Sequence, residues 1–256
     1  MTDRQKEILK YWYAYIYERD EDETDIISCG LKLLGDSPQN ILEAACGGAK
    51  LAAPLAEAGH RVTGFDIDEA MLHYARERAG RISNLHIYEG DALTESWGRN
   101  FDVVILGTNL MLNIVTDWDY QQAQKQLIRR AYEALRPGGH LWLDFDCPDT
   151  IAASTEDRLC FEGTDDRGTY GQYFVLAGSF DEKARMESSG RRYIITAADG
   201  EKFVHETRLV KHFPTLEQVC GWLNRTGFTI ELLHGGHNGE PFDSDHRRAV
   251  IWARKM

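Results

Sequence analysis

The sequence has few cysteines, and no two of them stand at the spacing of a metal or redox site. The five are odd in number, widely scattered and never arranged as Cys-x-x-Cys: Cys29, Cys46, Cys147, Cys160 and Cys220. A disulfide framework or a zinc knuckle requires paired or closely spaced cysteines, so the pattern argues against both and favours a reducing compartment.

Long apolar runs and an excess of positive charge are also missing. No run approaches the ~18 residues of a membrane span. The first ten residues, MTDRQKEILK, are charged and lack the apolar core of a secretory signal. The formal net charge of -12 repels phosphate backbones. We therefore expect a cytoplasmic protein with neither a nucleic-acid nor a membrane partner, and we predict no metal site.

The 256 residues, 43% hydrophobic and 27% charged, suit one large domain or one domain with an insertion. Five short apolar segments alternate with helical patterns: Ile41–Ala45, His60–Asp66, Leu85–Tyr88, Phe101–Leu106 and His140–Asp144. Strand–helix alternation with short turns predicts an α/β fold with a parallel, doubly wound sheet. Ligands of such sheets bind at the carboxyl ends of the strands.

The alternation stops after Asp149 and resumes near residue 211. Three predicted strands lie between, with no helix separating them: Thr169–Ala177, Arg191–Ala197 and Lys202–His212. Ala198-Asp199-Gly200 is a hairpin signal. We predict that 150–210 form an inserted antiparallel β layer, which would cap a substrate or form a homodimer. Residues 1–149 and 211–256 would form the ligand-binding domain.

The segment Ile41–Lys50, ILEAACGGAK, predicts a strand, a tight turn and the start of a helix. A turn of small residues lets a ligand approach the backbone closely. The helix N-terminus behind it offers free N–H groups and a partial positive charge to an anion.

Acidic residues stand at the ends of the predicted strands: Glu43, Asp66, Asp91, Asp144 and Asp146. In an open parallel sheet these positions line one crevice. Asp66 is placed to accept both hydroxyls of a ribose, and Asp91 to accept the exocyclic amine of an adenine. Taken singly, each acid is also explained as a helix cap or a solvated turn residue.

The segments ILEAACGGAK, LAAPLAEAGHRVTGFDIDEAMLHYARER, EGDAL, FDVVIL and LRPGGHLWLDF follow in the order and spacing of a known superfamily. From about 35 to 150 the chain resembles the class I S-adenosylmethionine-dependent methyltransferases. Its tail, from HFPTLEQV to VIWARK, resembles a small-molecule branch that includes amino-sugar and glycine-type N-methyltransferases. The resemblance implies a Rossmann-like seven-stranded sheet with its last strand antiparallel. It also implies methyl transfer from S-adenosylmethionine to a small molecule, with an amine favoured.

The resemblance also assigns cofactor-binding roles. Glu43 would orient the methionyl amino group, Asp66 would hold the ribose hydroxyls and Asp91 would bind the adenine amine. The other predicted contacts of the cofactor on this domain are Ala45, Gly47, Ile67, Ala92 and Leu106. Ala45, Gly47 and Ala49 stand where the family pattern has three alternating glycines.

For the acceptor, the resemblance points to Asn109 and Asn113 in GTNLMLN and to His237 in HGGHNG. His237 would take a proton or bind the substrate. The alternative is a loop histidine at the surface.

The aromatic N-terminus, ILKYWYAYIY, predicts a helix with two alternative roles. Ile8, Trp12 and Ile16 share one face, which is typical of a helix packed on a core. The resembling branch has a tyrosine followed by an acid about two dozen residues before its first strand, as at Tyr17-Glu18. In that interpretation Tyr13 and Tyr17 contact the cofactor, and the helix is a lid.

Two other functions fit parts of the pattern. A nicotinamide-dependent oxidoreductase also places an acid for the ribose after a glycine turn, but the sequence has no Tyr-x-x-x-Lys pair. A non-catalytic S-adenosylmethionine-binding module would keep the cofactor site without an acceptor site.

Overall fold

The computed structural model describes residues 1–20, 22–151 and 155–256. The helices are α1 (Asp3–Asp20), α2 (Thr24–Leu34), α3 (Ala52–Glu57), α4 (Glu69–Ala79), α5 (Tyr120–Ala134) and α6 (Leu216–Thr226). The strands are β1 (Asn40–Ala44), β2 (Arg61–Asp66), β3 (Leu85–Glu89), β4 (Phe101–Leu106), β5 (Leu135–Asp146), β6 (Arg158–Thr164), β7 (Tyr170–Val175), β8 (Ser179–Asp181), β9 (Met186–Thr196), β10 (Lys202–His212), β11 (Phe228–His234) and β12 (Arg248–Lys255). Among the described residues, no helix is long and apolar enough to cross a membrane.

The chain divides into two compact units. The larger comprises Asp22–Asp149 and Phe213–Met256, and the smaller comprises Met1–Glu21 and Thr150–His212. The predicted boundaries near 150 and 211 lie close to these limits. The predicted division differs in one respect, because α1 groups with the antiparallel strands and not with the ligand-binding domain.

The larger unit contains one seven-stranded sheet in the order β11-β12-β5-β4-β1-β2-β3. Strands β1 to β5 pair in parallel, and β12 is antiparallel to both of its neighbours, β5 and β11. The predicted fold class is confirmed. The chain order reverses between β4 and β1, and the crevice outside the carboxyl ends of strands at such a point is where ligands bind.

The central strands of this sheet are covered on both faces, which explains their continuous apolar runs. Ile41 and Leu42, neighbours on β1, are both fully buried, in two separate core clusters. Helix α2 packs closely because Gly30 leaves room for Trp142 of β5. A Cβ at Gly30 would lie 2.6 Å from Cη2 of that indole.

The smaller unit contains a five-stranded antiparallel sheet in the order β10-β9-β7-β6, with β8 paired to β9. The predicted hairpin is confirmed, since Thr196 of β9 pairs with Lys202 of β10 across the turn. The sequence interpretation found three of these strands and missed β6 and β8. Neither carries a clear apolar alternation, and no residue of either strand is fully buried.

Helix α1 packs on this sheet through Trp12, which is 0% exposed. Gly163 of β6 and Gly171 of β7 are directly paired; Gly171 leaves space for the indole, and Gly163 leaves space for Ile16. A Cβ at Gly171 would lie 2.3 Å from Trp12, and the indole Nε1 donates a 2.9 Å hydrogen bond to the carbonyl of Gly163. This contact explains why α1 belongs to the smaller unit.

Candidate functional site

The turn after β1 has an alternating backbone. Ala45, Gly47 and Ala49 adopt positive φ angles of 53°, 53° and 63°. Within the turn, the N–H of Ala49 donates to the carbonyl of Cys46 over 2.8 Å. Left-handed backbone favours glycine and strains alanine. These are the positions of the three alternating glycines, so the turn keeps its shape with alanine at two of them.

Asp66, at the end of β2, fixes this turn. Its Oδ2 accepts a 2.8 Å hydrogen bond from the N–H of Gly47, and its Oδ1 accepts one of 2.8 Å from Asp68. Burial raises the pKa of the carboxyl. Gly64, two residues before Asp66, allows β2 to lie close to the turn, because a Cβ at this position would lie 2.8 Å from the Sγ of Cys46. Asp66 therefore positions the turn, and its contact with a ribose stays a prediction.

Glu43 is the least satisfied acid of the site. Its side chain lies under the turn, the residue is 4% exposed, and the carboxyl accepts a hydrogen bond from the N–H of Ala52. Its Oε2 is buried and has no hydrogen-bond partner among the described residues. Burial, followed by the charge of Glu23, raises the pKa of Glu43 well above its usual value. An unpaired buried carboxylate oxygen calls for an explanation, and a ligand ammonium group would supply one.

Ile67 and Asp91, the residues that follow β2 and β3, present different groups. Ile67 follows Asp66 and is 66% exposed, which suits contact with a flat apolar ring. Asp91 follows β3 and accepts hydrogen bonds of 2.8 Å from the N–H of Leu93 and the hydroxyl of Thr94. Its carboxylate therefore shapes its own loop, and a contact with adenine would use the remaining lone pairs.

Ala92 and Leu106, two further predicted contacts of the cofactor, offer backbone groups. The carbonyl of Ala92 accepts a 3.1 Å hydrogen bond from Nε1 of Trp97. The side chain of Leu106, at the end of β4, is fully buried in the core. Only its main chain is available to a ligand.

A network of charged residues occupies the end of β5 and the start of β12. Asp144 is 0% exposed, and its Oδ1 accepts a 2.6 Å hydrogen bond from Nη1 of Arg248. Nη2 of Arg248 lies 2.9 Å from Oδ1 of Asp146. The guanidinium thus joins the two carboxylates. The sequence interpretation placed both acids at this edge but missed Arg248, because its role depends on β12 lying beside β5.

His237 lies in the loop between β11 and β12, and its Nε2 contacts Oδ2 of Asp144. Its side chain is 16% exposed, so this loop histidine is mostly buried, and its contact with a substrate stays a prediction. Among the described residues, Nδ1 has no hydrogen-bond partner. One ring nitrogen is therefore held by a buried carboxylate, and the other is open.

The two asparagines of GTNLMLN behave differently. Thr108 and Asn109 have positive φ angles of 47° and 63°, so the chain turns sharply after β4. Nδ2 of Asn109 donates a 2.8 Å hydrogen bond to Oδ2 of Asp146, and Oδ1 of Asn109 accepts a 2.7 Å hydrogen bond from the N–H of Asp146. Asn109 therefore fixes the end of β5 to the end of β4. Asn113 is exposed. Their contact with an acceptor stays a prediction.

Comparison with known proteins agrees with this geometry. Residues 41–139 match the family model described as a methyltransferase domain. A protein of Geobacillus sp. (strain WCH70), named as a methyltransferase, is 24% identical over 97% of this chain and 99% of its own length. This chain is an S-adenosylmethionine-dependent methyltransferase. The nicotinamide-dependent oxidoreductase and the non-catalytic module are thereby set aside.

Two solved structures share the fold of this methyltransferase over nearly its whole length. A methyltransferase from Clostridium acetobutylicum superimposes with a TM-score of 0.72 at 15% identity, covering 98% of each chain. The sugar N-methyltransferase KedS8 from Streptoalloteichus superimposes with a TM-score of 0.68 at 18% identity, covering 94% of this chain and 91% of its own.

The cofactor of this methyltransferase is S-adenosylmethionine, and the site fits it. The unpaired buried Oε2 of Glu43 suits the methionyl ammonium group, and Gly47 presents no side chain at the turn. When bound, the cofactor supplies a methyl group already activated by a sulfonium. The residues of the methyltransferase have to bind and orient the two reactants and to remove a proton from the acceptor.

Tyr13 and Tyr17 of the methyltransferase lie on α1, in the smaller unit. Their rings stand 5.9 Å apart, and Tyr13 meets Tyr173 and Tyr193 edge-to-face at 5.6 and 5.9 Å. Burial and the neighbouring tyrosines raise the pKa of Tyr13. Both rings are partly buried. The packing of α1 agrees with the core-helix interpretation, and contact with the cofactor stays a prediction.

Proposed function

We propose that this methyltransferase acts on an amine of a small-molecule acceptor. The observation that carries the proposal is the composition of the charged network at the end of β5. It holds two carboxylates, Asp144 and Asp146, and one guanidinium, Arg248. With His237 neutral, its formal charge is one negative. A site of that charge attracts an ammonium group and repels a carboxylate or phosphate.

The chemistry of an amine acceptor matches the small amount of acid–base machinery here. An ammonium needs to lose one proton, and its nitrogen then attacks without further activation. Placement of the two reactants supplies most of the remaining rate. The shared fold with a sugar N-methyltransferase supports an amine acceptor.

An acceptor panel tests the proposal. Purified protein and S-adenosylmethionine would be incubated with matched compounds that differ only in one group: amine, hydroxyl or carboxylate. Formation of S-adenosylhomocysteine and of methylated product would be measured by mass spectrometry. We expect turnover of amines, including amino sugars, and none of the matched hydroxyl compounds. Faster methylation of a hydroxyl compound than of its amine would overturn the proposal.

The predicted lid is part of the same proposal. We propose that residues 8–18 gain protection when the cofactor binds, through Tyr13 and Tyr17. Hydrogen exchange with and without S-adenosylhomocysteine tests this, with residues 216–226 of α6 as an internal reference. If protection of 8–18 does not rise, the lid is dropped and α1 is only a structural helix of its unit.

The antiparallel sheet is proposed as a substrate cap or a dimer-forming layer. Light scattering at several protein concentrations separates the two roles, because a dimer has twice the mass of 29.2 kDa. A monomer at every concentration would exclude the dimer-forming role and would leave the substrate cap as the proposed role.

A further inference from the structure

The pairing of His237 with Asp144 has a consequence for the side of the imidazole that remains open. A carboxylate only accepts hydrogen bonds. Nε2 faces Oδ2 of Asp144, so Nε2 must carry the hydrogen. In the neutral ring the other nitrogen then carries the lone pair. Nδ1 has no partner among the described residues and is therefore free to accept a proton.

Arg248 determines which carboxylate oxygen of Asp144 faces His237. Its Nη1 donates to Oδ1 of Asp144, the oxygen that does not face His237. The guanidinium cannot lose its protons in a protein, so that oxygen is permanently an acceptor. Arg248 also prevents Asp144, which is 0% exposed, from being an uncompensated buried charge.

We propose that His237 is the general base of this methyltransferase through Nδ1, and that Asp144 and Arg248 are positioning residues that fix its tautomer. The inference rests on the proposed amine acceptor. The proton leaves the ammonium nitrogen of the acceptor and bonds to Nδ1, so the nitrogen keeps its electron pair and the ring becomes an imidazolium. Asp144 stabilises the positive charge, and the proton then passes to water.

The charged groups that face this ring come from several elements. Asp144 belongs to β5 and contacts the ring directly, and Arg248 of β12 lies on the other side of that carboxylate. Asp146 is joined through Arg248. Cys29 of α2 is a further titratable neighbour of Asp144. Its pKa is raised by burial and by the charge of Asp144, so it stays a neutral thiol.

Asp144→Asn is the decisive variant, because Arg248 dictates the orientation of the new amide. Only the amide oxygen can accept from Arg248, which leaves the NH₂ group facing His237. That group donates, so Nε2 would lose its hydrogen and Nδ1 would carry it. The side chain keeps its shape, but the imidazole is left in the tautomer that cannot accept a proton at Nδ1.

The tautomer is measured directly by long-range ¹H–¹⁵N spectra of histidine-labelled protein without any ligand. His237→Gln assigns the signal. We expect the Nε2–H tautomer in the unmodified protein and the Nδ1–H tautomer in Asp144→Asn. An Nδ1–H tautomer in the unmodified protein would overturn the proposal even if Asp144→Asn does not fold. This readout does not depend on the acceptor, so its failure is distinct from failure of the proposed function.

Kinetics with an amine from the panel provide the second arm. Asp144→Asn and His237→Gln should each lower kcat about 10²–10⁴-fold, the usual contribution of a general base, with unchanged affinity for S-adenosylhomocysteine. The double variant should be no slower than His237→Gln, because the two residues act as one unit. His73→Gln, an exposed histidine on α4, is the control and should keep full activity. Additive losses, or a kcat unchanged in Asp144→Asn, would contradict the proposal.

Discussion

The proposed cofactor end and the proposed acceptor end of the site differ in how their charged groups are hydrogen-bonded. At the cofactor end, Glu43 has a buried oxygen with no partner among the described residues. At the acceptor end, Asp144, Asp146, Arg248 and Asn109 bond to one another. We propose that the first end completes its hydrogen bonds when the cofactor binds. The second is already assembled, so changes there should affect stability and proton transfer before they affect cofactor affinity.

The largest expected effect is on stability at the acceptor end. Arg248→Leu would leave Asp144 buried without its guanidinium, and removing one partner of a buried ion pair costs about 3–5 kcal/mol. Arg248 is itself partly exposed, so we expect a loss of about 3 kcal/mol in denaturant unfolding. Arg247→Leu is the matched control, because that neighbouring side chain is exposed and should change stability by about 0.5 kcal/mol or less. Equal losses in both variants would contradict the distinction.

The next effect is on cofactor affinity. Asp66→Asn keeps the shape of the side chain but removes the charge that accepts from Gly47 and would accept from a ribose. A hydrogen bond to a charged group contributes about 1.5–3 kcal/mol, so binding of S-adenosylhomocysteine should weaken at least about tenfold. Asp68→Asn is the control, since asparagine caps a helix as well as aspartate does. Unchanged affinity in folded Asp66→Asn would remove Asp66 from the ribose site.

The sequence allowed more of the cofactor end to be predicted than of the acceptor end. Glu43, Gly47 and Asp66 lie within one strand–turn–helix–strand unit, so their grouping follows from local order. His237 and Asp144 are 93 residues apart, and they meet because β12 lies between β5 and β11. Nothing local to either residue indicates that contact.

Two side chains that were predicted to contact a ligand also make hydrogen bonds that hold the fold together. Asp91 was assigned to adenine, and its carboxylate bonds the following turn. Asn109 was assigned to the acceptor, and its amide fixes Asp146. Asp91 finds its partners within its own loop, whereas Asn109 finds its partner at the end of the neighbouring strand β5. Sequence patterns do not reveal that such hydrogen bonds compete with ligand contacts.

A smaller effect concerns the packing of α1 within the smaller unit. Gly171→Ala would place a methyl group 2.3 Å from Trp12, and overpacking of this kind costs about 1–3 kcal/mol. Gly221→Ala in α6 is the matched control. Its methyl would meet only the flexible guanidinium of Arg225, at 3.3 Å, and alanine favours a helix by about 0.5–1 kcal/mol. Calorimetry should show destabilisation in the first variant alone, and a neutral Gly171→Ala would contradict the packing of α1.

The smallest effect concerns the pH dependence of stability. The pKa of Glu43 is raised by burial, so above the unfolded-state value of about 4.3 the folded protein retains a proton that the unfolded chain loses. Stability therefore falls as the pH rises through that window. Glu43→Gln should remove this loss and melt higher than the unmodified protein at pH 8, with the difference shrinking toward pH 4. Its melting temperature should also rise less on addition of S-adenosylhomocysteine. Identical pH dependence of melting in both proteins would contradict a buried, unpaired carboxyl.

The separation of the two ends is tested most directly by calorimetric titration of S-adenosylhomocysteine into three proteins: unmodified, Asp66→Asn and His237→Gln. The account predicts at least about tenfold weaker binding for Asp66→Asn, and for His237→Gln an affinity indistinguishable from that of the unmodified protein. Equal weakening in both variants, or weakening in His237→Gln alone, would contradict a cofactor end that is distinct from the acceptor end.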